Sequence, residues 1–115
     1  MVEIVWNIKT YETGSEEKVV DDFIKKQQPH AKAKIAHTVN LLKFYGNKLG
    51  PPHSKALGLG LYELRIRGKE EIRIMYCFTQ QRTIYLLHGF KKQTQQIPTK
   101  ELYIALKRMR SSTTI

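Results

Sequence analysis

The chain has 115 residues, 41% of them hydrophobic, and carries 20 Lys and Arg against 10 Asp and Glu, a net charge of +10 at pH 7. This apolar content argues against a disordered chain, and the length predicts one domain, residues 1–115, that buries roughly two-thirds of the surface of the unfolded chain. So positive a charge on a small domain predicts a polyanionic partner, nucleic acid first and an acidic protein second.

The first predicted element is an amphipathic strand that begins almost at the first residue. Its apolar residues Val2, Ile4, Trp6 and Ile8 alternate with Glu3, Val5, Asn7 and Lys9. A helix is predicted next, with Ser15 as its N-cap and with Glu16 and Glu17 in its first turn, where acidic side chains interact favourably with the helix dipole. The apolar face of this helix comprises Val19, Val20, Phe23 and Ile24.

A second helix is predicted from about His30 to Tyr45, after Pro29 interrupts the pattern. Its buried positions are Ile35, Val39 and Leu42, and Leu41 is a further candidate. Gly46 is suited to ending it. Residues 47–58 are predicted to form a loop, because the Pro51-Pro52 pair is incompatible with a helix interior and the flanking glycines favour turns.

Residues 60–92 are predicted to form three strands joined by two short turns. In the first strand Tyr62, Leu64 and Ile66 alternate with Glu63, Arg65 and Arg67, and in the second Ile72, Ile74, Tyr76 and Phe78 alternate with Arg73, Met75 and Cys77. The third strand, residues 83–90, is nearly all apolar, which is typical of a strand covered on both faces. The alternation predicts a sheet with one apolar face and one cationic face.

A C-terminal helix is predicted after Pro98 and Thr99. Leu102, Ala105, Leu106 and Met109 recur there at helical spacing. The predicted fold class is therefore α+β. We expect a small, mainly antiparallel sheet with the two N-terminal helices packed on its apolar face and the C-terminal helix beside it.

The sequence also predicts a compartment. Its single cysteine, Cys77, excludes an internal disulfide and is typical of a reducing environment. No segment has the pattern of a signal peptide or a spanning helix, and no helix combines a strong apolar face with a lysine-rich face. We therefore expect a cytoplasmic protein with no membrane partner.

Three segments carry a family resemblance. They are GPPHSKALGLGLYELRIR at residues 50–67, the IRIMY segment with Arg73, and LLHGFKKQTQQIP at residues 86–98. In this order and at this spacing they resemble the RelE/HigB superfamily of type II toxins, in particular its phage-derived HigB-like branch. The resemblance implies a RelE-like, microbial RNase-like fold, ribosome-dependent cleavage of messenger RNA that inhibits translation, and a helix-turn-helix antitoxin in a toxin–antitoxin hetero-oligomer.

The implied reaction is attack of a ribose 2′-hydroxyl on the adjacent phosphate, which requires no metal or other cofactor. Arg65 and Arg73 are the leading catalytic candidates, since the alternation places both on the cationic face of adjacent strands, where two guanidinium groups could hold one phosphate. Arg67 shares that face nearer to a turn. The alternative is a solvated sheet face, on which Glu63 pairs with one arginine and contributes little to stability.

His88 is the candidate general acid or base, because a histidine changes its protonation near neutral pH. The predicted alternation places it with Ile84, Leu86 and Phe90, so a structural histidine is the alternative. The candidates for binding RNA phosphates are Lys55, Arg67, Lys91 and Lys92, and solvated side chains are their alternative role. The remaining histidines predict no metal site, since His30 and His37 are seven residues apart and His53 lies in the proline-rich segment.

Two other classes of function remain open from the sequence. The first is a non-catalytic RNA-binding or ribosome-binding module, in which the same cations bind phosphates but no group is positioned for in-line attack. The second is a basic interaction protein whose positive surface receives an acidic partner segment.

Overall fold

The structure, a computed structural model, describes residues 5–113. Predicted strand residues Val2, Glu3 and Ile4 lie outside this range. The elements in chain order are β1 (Asn7–Thr10), α1 (Val19–Lys25), α2 (Pro29–Tyr45), a 3₁₀ helix (Gly46–Lys48), β2 (Ser54–Gly58), β3 (Leu61–Ile66), β4 (Ile72–Thr79), β5 (Thr83–Lys91) and α3 (Thr99–Thr113). No helix in residues 5–113 is both long and apolar enough to cross a membrane.

The strands form one mixed sheet in the order β1-β5-β4-β3-β2. Strands β2 to β5 form an antiparallel meander, and β1 pairs in parallel with β5 from Asn7 opposite Thr83 to Thr10 opposite Leu86. The predicted α+β class and the mainly antiparallel sheet are therefore confirmed.

One face of the sheet packs against α1 and α2, as the alternation predicts. The buried side chains there include Val20, Ile35, Leu42, Leu64 and Ile74. The helix α1 approaches β5 so closely that a Cβ on Gly89 would lie 2.4 Å from the ring of Phe23. Any larger residue at position 89 would therefore push α1 away from the sheet.

The opposite face differs from the prediction, because α3 packs on it rather than beside the sheet. Leu61, Met75, Cys77 and Leu87 are buried there together with Ala105 of α3. The prediction of a cationic face is therefore wrong for the part of the sheet that α3 covers. A helix with apolar residues at helical spacing requires an apolar surface, and the uncharged half of this face provides it.

A β-bulge in β5 changes the direction of His88. Tyr76 pairs with Leu86 and Met75 pairs with His88, so Leu87 is the additional residue. Such an insertion shifts the residues that follow it to the other face of the sheet. His88 therefore lies on the α3 face, away from Ile84 and Leu86, and the predicted placement with those two residues is wrong.

The first helix begins later than predicted. Lys18 is its N-cap residue and makes no side-chain capping bond. Ser15 lies 3.1 Å from the Thr13 hydroxyl and donates a 3.4 Å bond to Glu17 in the preceding loop. Glu16 has φ 65°, which is incompatible with a right-handed helical turn. The capping prediction at Ser15 is therefore wrong, because the polar side chains bond to each other.

Two further boundaries differ in the middle of the chain. Pro29 is the first residue of α2 rather than an interruption before it, a position that a proline tolerates because its missing N–H needs no partner there. Within the predicted loop, Ser54–Gly58 forms the edge strand β2 paired with β3. This segment lacks apolar alternation, since an edge strand depends mainly on backbone hydrogen bonds to its one neighbour.

Candidate nucleic-acid interface

The register of three strands brings the predicted cations together on the part of the face that α3 does not bury. Arg65 in β3 pairs directly with Arg73 in β4, and Lys55 in β2 pairs with Glu63 in β3. Directly opposed residues of antiparallel strands have neighbouring side chains on the same face. The prediction that both arginines lie on one face of adjacent strands is therefore confirmed, and the register makes them direct neighbours.

Glu63 is the centre of this charged group. Its side chain is 1% exposed, and its Oε1 lies 2.9 Å from Arg65 Nε and 3.5 Å from Arg73 Nε. The other carboxylate oxygen, Oε2, is buried and has no hydrogen-bond partner in the described structure. A buried carboxylate is costly unless cations compensate it, so Glu63 and the two guanidinium groups stabilise one another as a unit.

The two arginines differ in their accessibility. The side chain of Arg73 is 6% exposed, and its NH1 donates to Glu71 Oε2 at 3.1 Å and to the carbonyl oxygen of Ile72 at 3.2 Å. The side chain of Arg65 is 20% exposed. The Arg73 side chain is therefore nearly buried by its ion pairs, whereas part of the Arg65 side chain remains accessible to a ligand.

These residues line an open cleft of about 600 Å³, the basic cleft. Its lining comprises five cations, one carboxylate and residues 93–95, and the charged members are Lys55, Arg65, Arg67, Arg73, Lys92 and Glu71. The backbone N–H of Lys92 donates to the carbonyl of Glu71 at 2.7 Å, which holds residues 93–95 near the β3–β4 turn. The excess of cations makes the cleft attractive to phosphate groups.

Sequence reasoning missed residues 93–95 as members of the site. Gln93, Thr94 and Gln95 belong to the HGFKKQTQQIP segment, so the resemblance indicated their importance without giving them a role. Their amide and hydroxyl groups can donate hydrogen bonds to a phosphate or a sugar. No periodicity predicts this, because the residues lie in a loop.

Two of the predicted site residues lie outside the lining of the cleft. The side chain of Lys91 is exposed, and its Nζ lies 2.7 Å from Glu70 Oε2. His88 lies beneath α3 with 13% of its side chain exposed and its ring stacked on Phe90. The structure therefore groups Lys55, Arg65, Arg67, Arg73 and Lys92, and separates Lys91 and His88 from them.

The contacts of His88 indicate its tautomer. Arg108 donates from NH1 to Nδ1 at 3.3 Å, which leaves Nε2 to donate to Glu101 Oε1 at 3.2 Å. Burial lowers the pKa of His88 below its usual 6.5, and the hydrogen bond that His88 donates to Glu101 opposes that shift in part. The histidine is therefore a neutral group that links β5 to α3 at neutral pH.

The tyrosines of the sheet and Cys77 lie in the core. Tyr76 is buried and stacks on Tyr62 with 5.5 Å between ring centroids, and Tyr85 packs against the α3 cluster. Burial raises the pKa of the Cys77 thiol to about 11. These side chains therefore belong to the packed interior of the sheet and its helices. Among residues 5–113, no group of three or more His, Cys, Asp or Glu side chains is arranged to hold a metal ion.

Comparison with known families shows which proteins the chain is related to. The family model described as "Phage derived protein Gp49-like (DUF891)" matches residues 22–110, which include all the residues that line the basic cleft. The chain belongs to this Gp49-like family. The family is part of the RelE/HigB-like toxin superfamily, so the protein is a phage-derived, toxin-like protein. A search of curated proteins gives no match to the chain.

Proposed function

We propose that this Gp49-like protein is the toxin of a type II toxin–antitoxin system, of the HigB-like branch, and that it cleaves messenger RNA on the ribosome in the basic cleft. The observation that carries the proposal is the pairing of Arg65 and Arg73 across β3 and β4, both held by one oxygen of Glu63. Lys55, Arg67 and Lys92 surround this pair. Family membership supports the toxin role.

The reaction in this proposal is an internal transfer. The ribose 2′-oxygen attacks the adjacent phosphorus, the bond from phosphorus to the 5′-oxygen breaks, and the products are a 2′,3′-cyclic phosphate and a 5′-hydroxyl. Arg65 donates to the phosphate oxygens as their negative charge grows. One such donor contributes about 3–4 kcal/mol of barrier lowering in a water-poor site. Arg73 has a positioning role in this proposal. It holds Glu63 in place, and Glu63 orients the Arg65 guanidinium group.

Two proton transfers accompany this reaction, one from the 2′-hydroxyl and one to the 5′-oxygen. Among the described residues that line the cleft, only Glu71 carries a carboxylate. Its side chain is 42% exposed. Lys55 and Lys92 supply charge near the leaving oxygen in this proposal. A role of His88 as general acid or base stays a prediction, since its ring bonds to α3.

The test is a cleavage assay on ribosomes that translate a defined message. We expect cuts within the translated region, products that end in a 2′,3′-cyclic phosphate, and undiminished activity after chelation when ribosome integrity is controlled. The Lys32→Ala variant, changed on an exposed turn of α2, is the matched control and should cleave like wild type. An intact message in the presence of bound protein would contradict the proposal.

One observation favours the second candidate, a non-catalytic RNA-binding or ribosome-binding module. Glu71 in the cleft lining already pairs with Arg73, and the buried Glu63 pairs with Arg65 and Arg73. A carboxylate oxygen that already contacts a guanidinium group is not positioned to accept the proton of a ribose hydroxyl. The same assay separates the two functions, because salt-sensitive ribosome binding with an uncut message would identify the binding module.

A further inference from the structure

A second pocket lies on the other side of β3 from the basic cleft. It has a volume of about 330 Å³ and is formed by α2, the loop before β2 and the end of β3. We call it the α2 pocket. It exists because β2 begins only at Ser54, opposite Leu64. Beyond that point the edge of β3 meets a loop, in which the carbonyl of His53 accepts the N–H of Arg65 at 2.8 Å.

The lining of the α2 pocket combines an apolar floor with a basic rim. Ala33, Pro52 and Ile66 supply the floor, and the rim holds Lys34, His37 and His53 with two arginines from β3 and the turn after it. None of the described lining residues is acidic. An apolar surface beside cations and imidazole rings is suited to a planar base that carries a phosphate.

Lys34 connects the two walls of this pocket. Its Nζ donates to the carbonyl of Arg67 at 3.2 Å, which ties α2 to the chain just after β3. An ammonium group has three N–H donors, so this bond leaves donors for a phosphate at the rim. The bond therefore fixes a cation at the mouth of the pocket.

The α2 pocket and the basic cleft are continuous through two residues. Arg65 and Arg67 line both of them, one pocket on each side of the end of β3. A polyanion held in the cleft can therefore follow a track of cations around the strand end and reach the pocket. An RNA strand has the repeated phosphates that such a track requires, with one base for each phosphate.

We propose that the α2 pocket binds one nucleotide of the RNA strand that occupies the basic cleft, a nucleotide outside the cleavage site. Its base contacts the apolar floor, and its phosphate contacts Lys34 and Arg67. The volume lies at the low end of the range for ligand pockets, which suits a single nucleotide better than a folded peptide segment. This inference rests on the proposed function of the cleft, because the same strand must occupy both.

The test measures binding of uncleavable RNA, so it does not depend on catalysis. Fluorescence anisotropy compares a 2′-O-methyl trinucleotide with a 2′-O-methyl hexanucleotide at low salt. Wild type should bind the hexanucleotide more tightly. Lys34→Gln should reduce the slope of log affinity against log salt for the hexanucleotide by about 0.7, the value for one phosphate contact on a single strand. The matched control Lys32→Gln, on the same helix outside the pocket, should leave that slope unchanged.

A second pair of variants tests the base contact without a change of charge. Ala33→Leu places a larger side chain on the floor of the pocket, whereas Ala36→Leu adds the same groups to an exposed position of α2 outside it. Ala33→Leu should weaken hexanucleotide binding several-fold. It should have no effect on a hexanucleotide that lacks the base at the pocket position. Circular dichroism and thermal unfolding should show that all four variants are folded.

The outcomes separate this inference from the proposed function. If the hexanucleotide binds no better than the trinucleotide, and both pocket variants behave like their controls, the pocket assignment is wrong while RNA binding in the cleft stands. If neither oligonucleotide binds wild type, both assignments are overturned. If Lys34→Gln weakens binding of a poly-glutamate peptide and leaves RNA binding unchanged, the pocket receives an acidic protein segment and the inference is wrong.

Discussion

The same strands form both halves of the sheet face on which α3 packs. One half is covered by α3, and the other half is open and forms the basic cleft. In β4, Arg73, Met75 and Cys77 alternate onto this face, yet Met75 and Cys77 are buried against α3 whereas Arg73 lines the basic cleft. The difference arises from the area that α3 covers. Alternation along a strand therefore determines the face of a residue, and the packing of another element determines whether that face becomes core or a site.

The two halves also differ in how they are stabilised. The covered half depends on burial of apolar side chains such as Met75 and Leu87. In the open half one buried carboxylate, Glu63, compensates two guanidinium groups. An apolar contact tolerates the loss of one partner better than a buried ion cluster, in which a remaining charge has no compensation.

The largest expected effect tests the stability of the open half. Arg73→Ala should lower the free energy of unfolding by about 3–5 kcal/mol, because it removes a buried partner of Glu63. Urea denaturation measures this loss, and Arg67→Ala, at an exposed position, should cost less than about 1 kcal/mol. Adding Glu63→Gln to Arg73→Ala should cost much less than the sum of the two single changes. A loss below 1 kcal/mol for Arg73→Ala would show that the cluster is not structural.

The second prediction concerns catalysis in the same half. Arg65→Ala should reduce cleavage on programmed ribosomes by about 100-fold to 1,000-fold, since it removes the accessible guanidinium donor. Arg65→Lys should recover only part of the rate, because an ammonium group cannot offer two parallel donors to one phosphate. Single-turnover cleavage measures both effects, with Lys32→Ala as the control. Wild-type rates in Arg65→Ala would exclude this residue from the reaction.

The third prediction concerns the covered half at high pH. Because burial raises the pKa of Cys77 to about 11 from 9.0, the unfolded chain loses the thiol proton first as the pH rises. The free energy of unfolding should therefore be maintained below pH 9 and fall towards pH 11. Burial also raises the pKa of Tyr76, which adds a loss of the same sign. Urea titrations near pH 7 and about pH 10 should show a smaller loss for Cys77→Ala than for wild type, and parallel losses would contradict buried titration of the thiol.

The smallest expected effect concerns the boundary between the halves, where His88 bonds to α3. Its folded-state pKa is lowered, so the unfolded chain binds the proton first as the pH falls below 6.5. Stability present above pH 6.5 should therefore decrease at lower pH. Glu101 favours the protonated ring and so limits the lowering of the pKa. Arg108 and Lys100 disfavour the protonated ring and so add to that lowering.

Thermal unfolding of His88→Gln near pH 7 and about pH 5 checks this last effect. The variant should lose less stability on acidification than wild type does. His30→Gln, changed at an exposed position of α2, should behave like wild type. If His88→Gln instead abolished cleavage and kept the acid sensitivity of wild type, His88 would act on the substrate and would not serve as a link to α3.

Much of the fold could be predicted because local patterns determine it. The alternation at Tyr62, Leu64 and Ile66 gave the apolar face of β3, and helical spacing at Leu102, Ala105 and Met109 gave α3. The edge strand β2 and the position of α3 could not be predicted in this way. Both depend on contacts with distant residues, and a strand such as Ser54–Gly58 carries no apolar alternation of its own.

The site was predictable only in part for the same reason. The cross-strand pairing of Arg65 with Arg73 follows from alternation and short turns, whereas the burial of Arg73 depends on its ion pairs with Glu63 and Glu71. The bulge at Leu87 reversed the direction of His88, which alternation alone does not predict, although Gly89 two residues later is a residue type that often marks a bulge. Irregular pairing of this kind is set by the packing of both faces.

The parallel pairing of β1 with β5 has a consequence for the time course of folding. Strands β2 to β5 are neighbours in sequence, so their meander requires only short loop closures. Strand β1 has its partner more than seventy residues later, since Asn7 pairs with Thr83. During synthesis the strands that carry Lys55, Arg65 and Arg73 are therefore complete before β1 can pair. The long-range closure should be the slow step of folding, and the cleft strands should gain protection from hydrogen exchange before β1 does.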